Sequence, residues 1–119
     1  MTKPLALIIE DDPQLNTIMS ITLQADFEIE SCADGSTGLE RLKQTIPNVV
    51  VLDLNLPGAS GKDILQSIRA DERLAKTRII LTTADERQAE TLQDEADIVL
   101  LKPVSPAQLR ELALRLKSM

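Results

Sequence analysis

Five short apolar runs, separated by segments with helical periodicity, constrain the fold of this chain more than any other feature. Apolar runs of this kind, bounded by polar residues, are typical of buried strands, and amphipathic segments of about three turns are typical of helices. Their regular alternation predicts an α/β domain in which a parallel sheet is covered by helices on both faces. The predicted strands cover residues 5–9, 27–30, 49–52, 79–81 and 98–101.

Two of these runs also indicate where their strands lie in the sheet. Residues 49–52 read VVVL without a polar interruption, which is typical of a central strand that is buried on both faces. Residues 27–30 alternate as Phe-Glu-Ile-Glu, which favours an edge strand with one face in water.

The helices have recognisable starts and apolar stripes. Asp12 and Pro13 predict an N-cap followed by proline at the first helical position, where its missing N–H costs nothing. The segment 86–94 has few apolar residues, so we expect a weakly anchored and mobile helix there. The other predicted stripes are Leu15, Ile18, Met19 and Leu23; Leu39, Leu42 and Ile46; Ile64, Leu65 and Ile68; and Leu109, Leu112, Ala113 and Leu116.

The composition of the chain argues against several classes of function. The chain has 119 residues, which suits one domain over 1–119, and a net charge of -6, which argues against direct nucleic-acid binding. It contains no histidine, so His-ligated metals and imidazole catalysis are excluded. A single cysteine, no signal peptide and no long apolar run predict a cytoplasmic protein that does not enter the membrane.

The unusual polar residues stand where the predicted strands end. Glu10 and Asp11 follow the first strand, Asp53 the third, Thr83 the fourth and Lys102 the fifth. Because parallel α/β sheets bind ligands at the carboxyl ends of their strands, we expect these residues to meet in one cleft.

Electrostatics then indicates what the cleft contains. Two carboxylates about 4 Å apart repel by roughly 4 kcal/mol at an effective dielectric constant of about 20, so three of them need positive charge nearby. A divalent cation together with Lys102 balances the three carboxylates, and Mg²⁺ is the natural candidate because it accepts phosphate oxygens while keeping water ligands. A carboxylate beside such a cation can attack a phosphoryl group, and Asp53 is the central one.

Four segments in order, IIEDDP, VVVLDLNLPGASG, IILTTAD and LLKP, resemble the signature segments of response-regulator receiver domains. The resemblance covers essentially the whole chain, and the agreement of four motifs in register is much more specific than any one of them. It implies a flavodoxin-like three-layer α/β sandwich with five helices and a five-stranded parallel sheet in the order 2-1-3-4-5, an order that the apolar pattern alone does not give.

The resemblance also implies the role of each site residue. Asp53 would accept a phosphoryl group from a sensor histidine kinase or a phosphotransfer protein. Asp11, Asp53 and the backbone carbonyl of Asn55 would bind Mg²⁺, with Glu10 acting mainly through a water on the cation. Thr83 would hydrogen-bond the phosphoryl group and Lys102 would pair with it. The catalytic set that the resemblance implies is therefore Asp53, Thr83 and Lys102. The resemblance also implies a cis peptide bond between Lys102 and Pro103.

One position departs from the family. Receivers commonly have an aromatic residue three positions before the lysine, and this chain has Val99 there. We therefore hypothesise that signalling depends on shifts of the segment 86–94 instead of on an aromatic side chain. The resemblance further implies an output domain or partner protein, and a homodimer through the fourth helix, fifth strand and fifth helix.

Three functions stay open at this point. The preferred one is a phosphorylation-dependent switch that is not an enzyme with a separate substrate. The second is a degenerate receiver that acts as a phosphorylation-independent scaffold. The third is a Mg²⁺-dependent phosphohydrolase with an aspartyl-phosphate intermediate. It is disfavoured because phosphohydrolases of the haloacid dehalogenase type carry an Asp-x-Asp motif on the first strand, whereas Asp53-Leu54-Asn55 ends the third.

Overall fold

The computed structural model describes residues 3–118, which form alternating strands and helices. The strands are β1 (Leu5–Ile9), β2 (Glu28–Cys32), β3 (Val49–Asp53), β4 (Arg78–Thr83) and β5 (Ile98–Leu101). The helices are α1 (Pro13–Leu23), α2 (Gly35–Gln44), α3 (Gly61–Ala70), α4 (Glu86–Leu92) and α5 (Pro106–Lys117). A single 3₁₀ turn over Glu72–Leu74, which the sequence did not reveal, connects α3 to β4.

All five strands are parallel and lie in the order β2-β1-β3-β4-β5. The predicted edge position of β2 and the central position of β3 are both confirmed. The order implied by the family resemblance is confirmed as well, and with it the α/β sandwich of five strands and five helices.

Strand residues alternate between two apolar layers, one on each face of the sheet. Leu7, Ile9, Val50 and Leu52 pack with Leu42 of α2, Ile64, Leu65 and Ile68 of α3 and Leu92 of α4. Ala6, Ile8, Val49 and Val51 pack with Met19 and Leu23 of α1 and with Leu109, Ala113 and Leu116 of α5. The sheet is therefore the middle of three layers, which explains why its strands are apolar on both faces.

Polar side chains cap the helices next to the strand ends. Asp12 accepts hydrogen bonds from the backbone of Gln14 and Leu15 at the start of α1, and Pro13 takes the first helical position, as predicted. Asp85 caps α4 in the same way, through the backbone N–H groups of Arg87 and Gln88. These caps fix the directions in which the chain leaves β1 and β4.

Two predicted core residues are in fact exposed. Ile18 of α1 is 47% exposed, although Met19 and Leu23 of the same stripe are buried. Ile46 is 58% exposed because α2 ends at Gln44 and the chain turns away before the stripe continues. Among the described residues, no helix combines the length and apolar character needed for a membrane crossing.

Candidate functional site

Glu10 lies at the end of β1 with a carboxylate that is almost fully removed from solvent. Its side chain is 1% exposed, and its Oε2 atom accepts a hydrogen bond of 3.1 Å from the backbone N–H of Asp12. Its Oε1 atom has no hydrogen-bond partner among the described residues, although the ammonium of Lys102 lies 3.0 Å away. A buried carboxylate oxygen with spare acceptor capacity is suited to a ligand with positive charge.

Asp53 ends the central strand and is 2% exposed. Its Oδ1 atom accepts a hydrogen bond of 3.1 Å from the backbone N–H of Asn55, and its Oδ2 atom lies 3.3 Å from Nζ of Lys102. The loop after Asp53 packs against the strand through Gly61, where an added Cβ atom would lie 2.4 Å from the carbonyl oxygen of Asp53. Only glycine fits this close approach.

Lys102 brings the positive charge to this edge from the far end of the chain. It directly follows β5, and its backbone N–H donates a 2.8 Å hydrogen bond to the carbonyl of Thr83, which extends the pairing of β4 with β5. Its side chain reaches back across the strand ends to Glu10 and Asp53. The peptide bond between Lys102 and Pro103 is cis, as the resemblance implies.

Three carboxylates meet at this edge of the sheet. Glu10, Asp11 and Asp53 each offer an oxygen, and the three atoms lie within 4.8 Å of one another. Glu10 and Asp53 are buried, whereas Asp11 is exposed at the mouth of the cleft. The acidic cluster predicted from the sequence is therefore assembled, and it could hold a metal ion with hard oxygen ligands.

Burial and the neighbouring charges shift the pKa values of Glu10 and Lys102. Burial, together with the neighbouring Asp53, raises the pKa of Glu10 to about 7, although the backbone hydrogen bond from Asp12 and the ammonium of Lys102 act in the opposite direction. For Lys102, burial acts against the charged form, but the contact with Glu10 and the charge of Asp53 outweigh it and raise the lysine pKa. Lys102 therefore lies within ion-pair distance of both buried acids, 3.0 Å from Glu10 and 3.3 Å from Asp53.

Thr83 ends β4 beside these residues and is fully buried, but its hydroxyl is engaged elsewhere. The hydroxyl donates a 3.0 Å hydrogen bond to Oε1 of Gln88 in α4 and accepts a 3.0 Å hydrogen bond from the backbone N–H of Asp85.

Asn55 is exposed, two residues beyond Asp53, and its backbone N–H donates a hydrogen bond to the carboxylate of Asp53. Glu10, Asp11, Asp53 and Lys102 thus form the contacting group, with Thr83 and Asn55 adjoining it.

Two residues at the site were missed from the sequence. The side-chain amide of Asn16 in α1 donates hydrogen bonds of 3.0 Å to the carbonyl of Glu10 and 3.2 Å to that of Cys32, which joins the ends of β1 and β2. Gln88 contacts Thr83 from the first turn of α4. A polar residue in the first turn of a helix that follows a site strand is a signal, though a weak one, that could have singled out both.

A buried acidic cluster with a lysine, at the carboxyl edge of a parallel sheet of order 2-1-3-4-5, defines a receiver-like class of α/β protein. The family profile described as response regulator receiver domain matches residues 6–114. The chain therefore belongs to the response regulator receiver domain family, as its four motifs indicated.

Comparison with known proteins agrees with this assignment. The DNA-binding response regulator MtrA of Mycolicibacterium smegmatis is 33% identical over 107 residues, which cover 87% of this chain and 46% of MtrA. The chain thus spans less than half the length of this relative. Chemotaxis response regulator CheY4 of Vibrio cholerae has a TM-score of 0.88 and 25% identity, with 97% of this chain and 99% of CheY4 covered.

A third comparison shows the fold alone, because its sequence identity is only 24%. It is the receiver domain of sensor histidine kinase PA1611 from Pseudomonas aeruginosa, whose structure is described with a magnesium ion coordinated in the active site cleft. Its TM-score is 0.88, and the superposition covers 99% of this chain and 100% of that domain.

Proposed function

We propose that this chain is a phosphoacceptor switch of a two-component system, in which Asp53 receives a phosphoryl group from a histidine kinase or a phosphotransfer protein. One observation carries the proposal: the carboxylate of Asp53 is 2% exposed at the end of the central strand, 3.3 Å from Lys102 and beside two further acids. A carboxylate held between a cation and a metal-binding cluster is suited to nucleophilic attack on phosphorus.

The residues present fit a divalent cation. Glu10 has a buried oxygen without a hydrogen-bond partner in the described part of the chain, and three carboxylate oxygens lie within 4.8 Å of one another. All the donors are hard oxygen atoms, which favours Mg²⁺. We assign Glu10, Asp11 and Asp53, with the backbone carbonyl of Asn55, as the groups that hold it. When bound, Mg²⁺ would neutralise negative charge on the phosphoryl oxygens.

The side chains of the site then have distinct tasks. A carboxylate oxygen of Asp53 forms the new bond to phosphorus while the bond from phosphorus to the donor nitrogen breaks. The donor imidazole keeps that electron pair and takes a proton from solvent. Lys102, already 3.3 Å from Asp53, pairs with the transferred phosphoryl group, and the hydroxyl of Thr83 donates a hydrogen bond to a phosphoryl oxygen.

The remaining parts of the proposal concern the whole protein. We take 1–119 as one receiver domain whose phosphorylation regulates an output domain or a partner protein, and which acts as a switch without a separate substrate. A homodimer through α4, β5 and α5, and a cytoplasmic location, stay predictions. The relatives support an output role, since MtrA is described as DNA-binding and is more than twice as long as the matched region. Neither the scaffold nor the phosphohydrolase alternative gains support from the family assignment.

The direct test is chemical phosphorylation. The purified chain is incubated with acetyl phosphate and MgCl₂, and intact mass spectrometry measures the addition of one phosphoryl group. We expect addition to the wild type and none to Asp53→Asn, nor to the wild type in excess EDTA. Asp63→Asn, at an exposed aspartate of α3, is the matched control and should be modified like the wild type. An unmodified wild type, or equal labelling of Asp53→Asn, would refute the proposal.

A further inference from the structure

The hydroxyl of Thr83 donates its one available hydrogen bond to the side chain of Gln88. Thr83 Oγ1 donates to Gln88 Oε1 over 3.0 Å, while its lone pair accepts the backbone N–H of Asp85 at 3.0 Å. A threonine hydroxyl can donate a single hydrogen bond. Any group on Asp53 that requires this proton must therefore displace Gln88.

The contact spans the connection between β4 and α4. Thr83 ends the strand, Asp85 caps the helix and Gln88 lies in its first turn, so the hydrogen bond ties the start of α4 to the sheet. The helix has seven residues, of which only Leu92 is buried. A short helix with one buried side chain is held largely by such tethers.

There is space for Gln88 to move when it is released. Its side chain lines a cavity of about 230 Å³ between α3 and α4, together with Leu54, Lys62 and Leu92 among others. The amide can therefore leave Thr83 without displacing a packed neighbour. On the other side of α4, Val99 lines a second space of about 250 Å³, and no aromatic ring occupies it.

We propose that Gln88 is a positioning residue that holds Thr83 in the unphosphorylated orientation and is released when Thr83 turns to the phosphoryl group. This inference rests on the proposed function of Asp53. The proton stays on Thr83 and only its acceptor changes, from the amide oxygen of Gln88 to a phosphoryl oxygen. Phosphorylation thereby removes a tether of α4, and the switch reaches this helix without an aromatic residue at position 99.

The test compares three variants by their affinity for beryllium fluoride with Mg²⁺, a stable phosphoryl mimic, measured by calorimetry. Gln88→Met keeps the length of the side chain but removes the acceptor, so the mimic no longer competes with Gln88. From the usual net strength of one hydrogen bond we expect about two- to tenfold tighter binding. Gln88→Glu offers a stronger, charged acceptor and should bind the mimic more weakly than the wild type. Gln93→Met, at the exposed C-cap of α4, is the matched control and should change nothing.

A double-mutant cycle separates this role from a general structural one. In a Thr83→Ala background there is no hydroxyl to hold, so Gln88→Met should no longer tighten binding. The outcomes distinguish the two proposals. If the wild type binds the mimic and accepts phosphate but Gln88→Met resembles Gln93→Met, or keeps its effect without Thr83, the role of Gln88 is wrong and the proposed function stands. If the wild type neither binds the mimic nor accepts phosphate, both are wrong.

Discussion

The ammonium of Lys102 lies 3.3 Å from the carboxylate of Asp53, although 48 residues separate them in the chain. The contact exists because β3 and β5 both pair with β4, so their carboxyl ends reach the same edge of the sheet. The lysine side chain then crosses the end of β4 to reach the acid. The same edge holds Glu10 and Asp11 after β1, so one lysine faces three carboxylates. This excess of negative charge adds to the effect of burial on the carboxyl group of Glu10.

Glu10 should make stability depend on pH in the metal-free protein. Its pKa is raised from 4.5 to about 7 on folding, so between these values the folded state keeps a proton that the unfolded state has lost. This contribution is complete below about pH 4.5 and is lost as the pH rises through about 7. Relative to Glu10→Gln, we expect the wild type to lose up to about 3 kcal/mol of unfolding free energy between pH 4.5 and 8.

Urea denaturation in EDTA, repeated at several pH values, measures this loss. The other titrating groups are common to both proteins, so only the difference between the two curves is informative. Parallel pH profiles for the wild type and Glu10→Gln would contradict the assignment of the shifted pKa to Glu10.

Asn16 should contribute to stability through its two backbone contacts. Its amide donates to the carbonyls of Glu10 and Cys32, so Asn16→Ala leaves two acceptors at the ends of β1 and β2 without this donor. We expect a loss of about 1 to 3 kcal/mol in unfolding free energy, and a weaker affinity for Mg²⁺ because Glu10 is held less firmly. Denaturation and metal titration measure the two effects. Thr17→Ala, at the exposed neighbour, should be close to the wild type, and equal behaviour of both variants would refute the role of Asn16.

Gly61 should tolerate no side chain. An added Cβ atom would lie 2.4 Å from the carbonyl oxygen of Asp53, which ends β3, and 2.5 Å from Cα of Leu54, which begins the following loop. Both are backbone atoms, which cannot rotate away, so Gly61→Ala should cost about 1 to 3 kcal/mol of stability. Since the strain acts on Asp53 itself, phosphorylation by acetyl phosphate should slow as well. Ser67→Ala, at an exposed position of α3, is the control; a stable, fully active Gly61→Ala would show that the loop can shift.

Asp97 should stabilise the fold without serving the site. It precedes β5 at the opposite edge of the sheet and accepts a 2.7 Å hydrogen bond from the backbone N–H of Ile79. It also pairs with Arg69 at 3.2 Å and Arg78 at 3.4 Å. Asp97→Ala should lower the unfolding free energy by about 1 to 3 kcal/mol, since it removes an acceptor from two cations and a buried strand end.

The affinity of Asp97→Ala for Mg²⁺, measured under conditions where it is fully folded, should equal that of the wild type. Coupled losses of stability and metal affinity would contradict the separation of the two sheet edges.

Local physical rules account for the parts of the fold that the sequence predicted. The cap formed by Asp12 and Pro13 depends on residues within one helical turn, and the burial of β3 follows from its unbroken apolar run. The same rules were wrong for Ile18 and Ile46, because an apolar stripe can predict a buried face but not where the neighbouring layer ends. The strand order came from the family resemblance and was confirmed by the pairing of the strands.

The sequence by itself determined the strands and the start of α1, and it singled out the acids and the lysine at the strand ends, because backbone preferences and apolar periodicity act over a few residues. Tertiary structure alone decided that the hydroxyl of Thr83 donates a hydrogen bond to Gln88, that Asn16 joins β1 to β2 and that Lys102 lies 3.3 Å from Asp53. These contacts depend on how loops and side chains pack once the sheet has formed, and hydrogen bonds require positions correct to a fraction of an ångström. No pattern along the chain specifies distances at that scale.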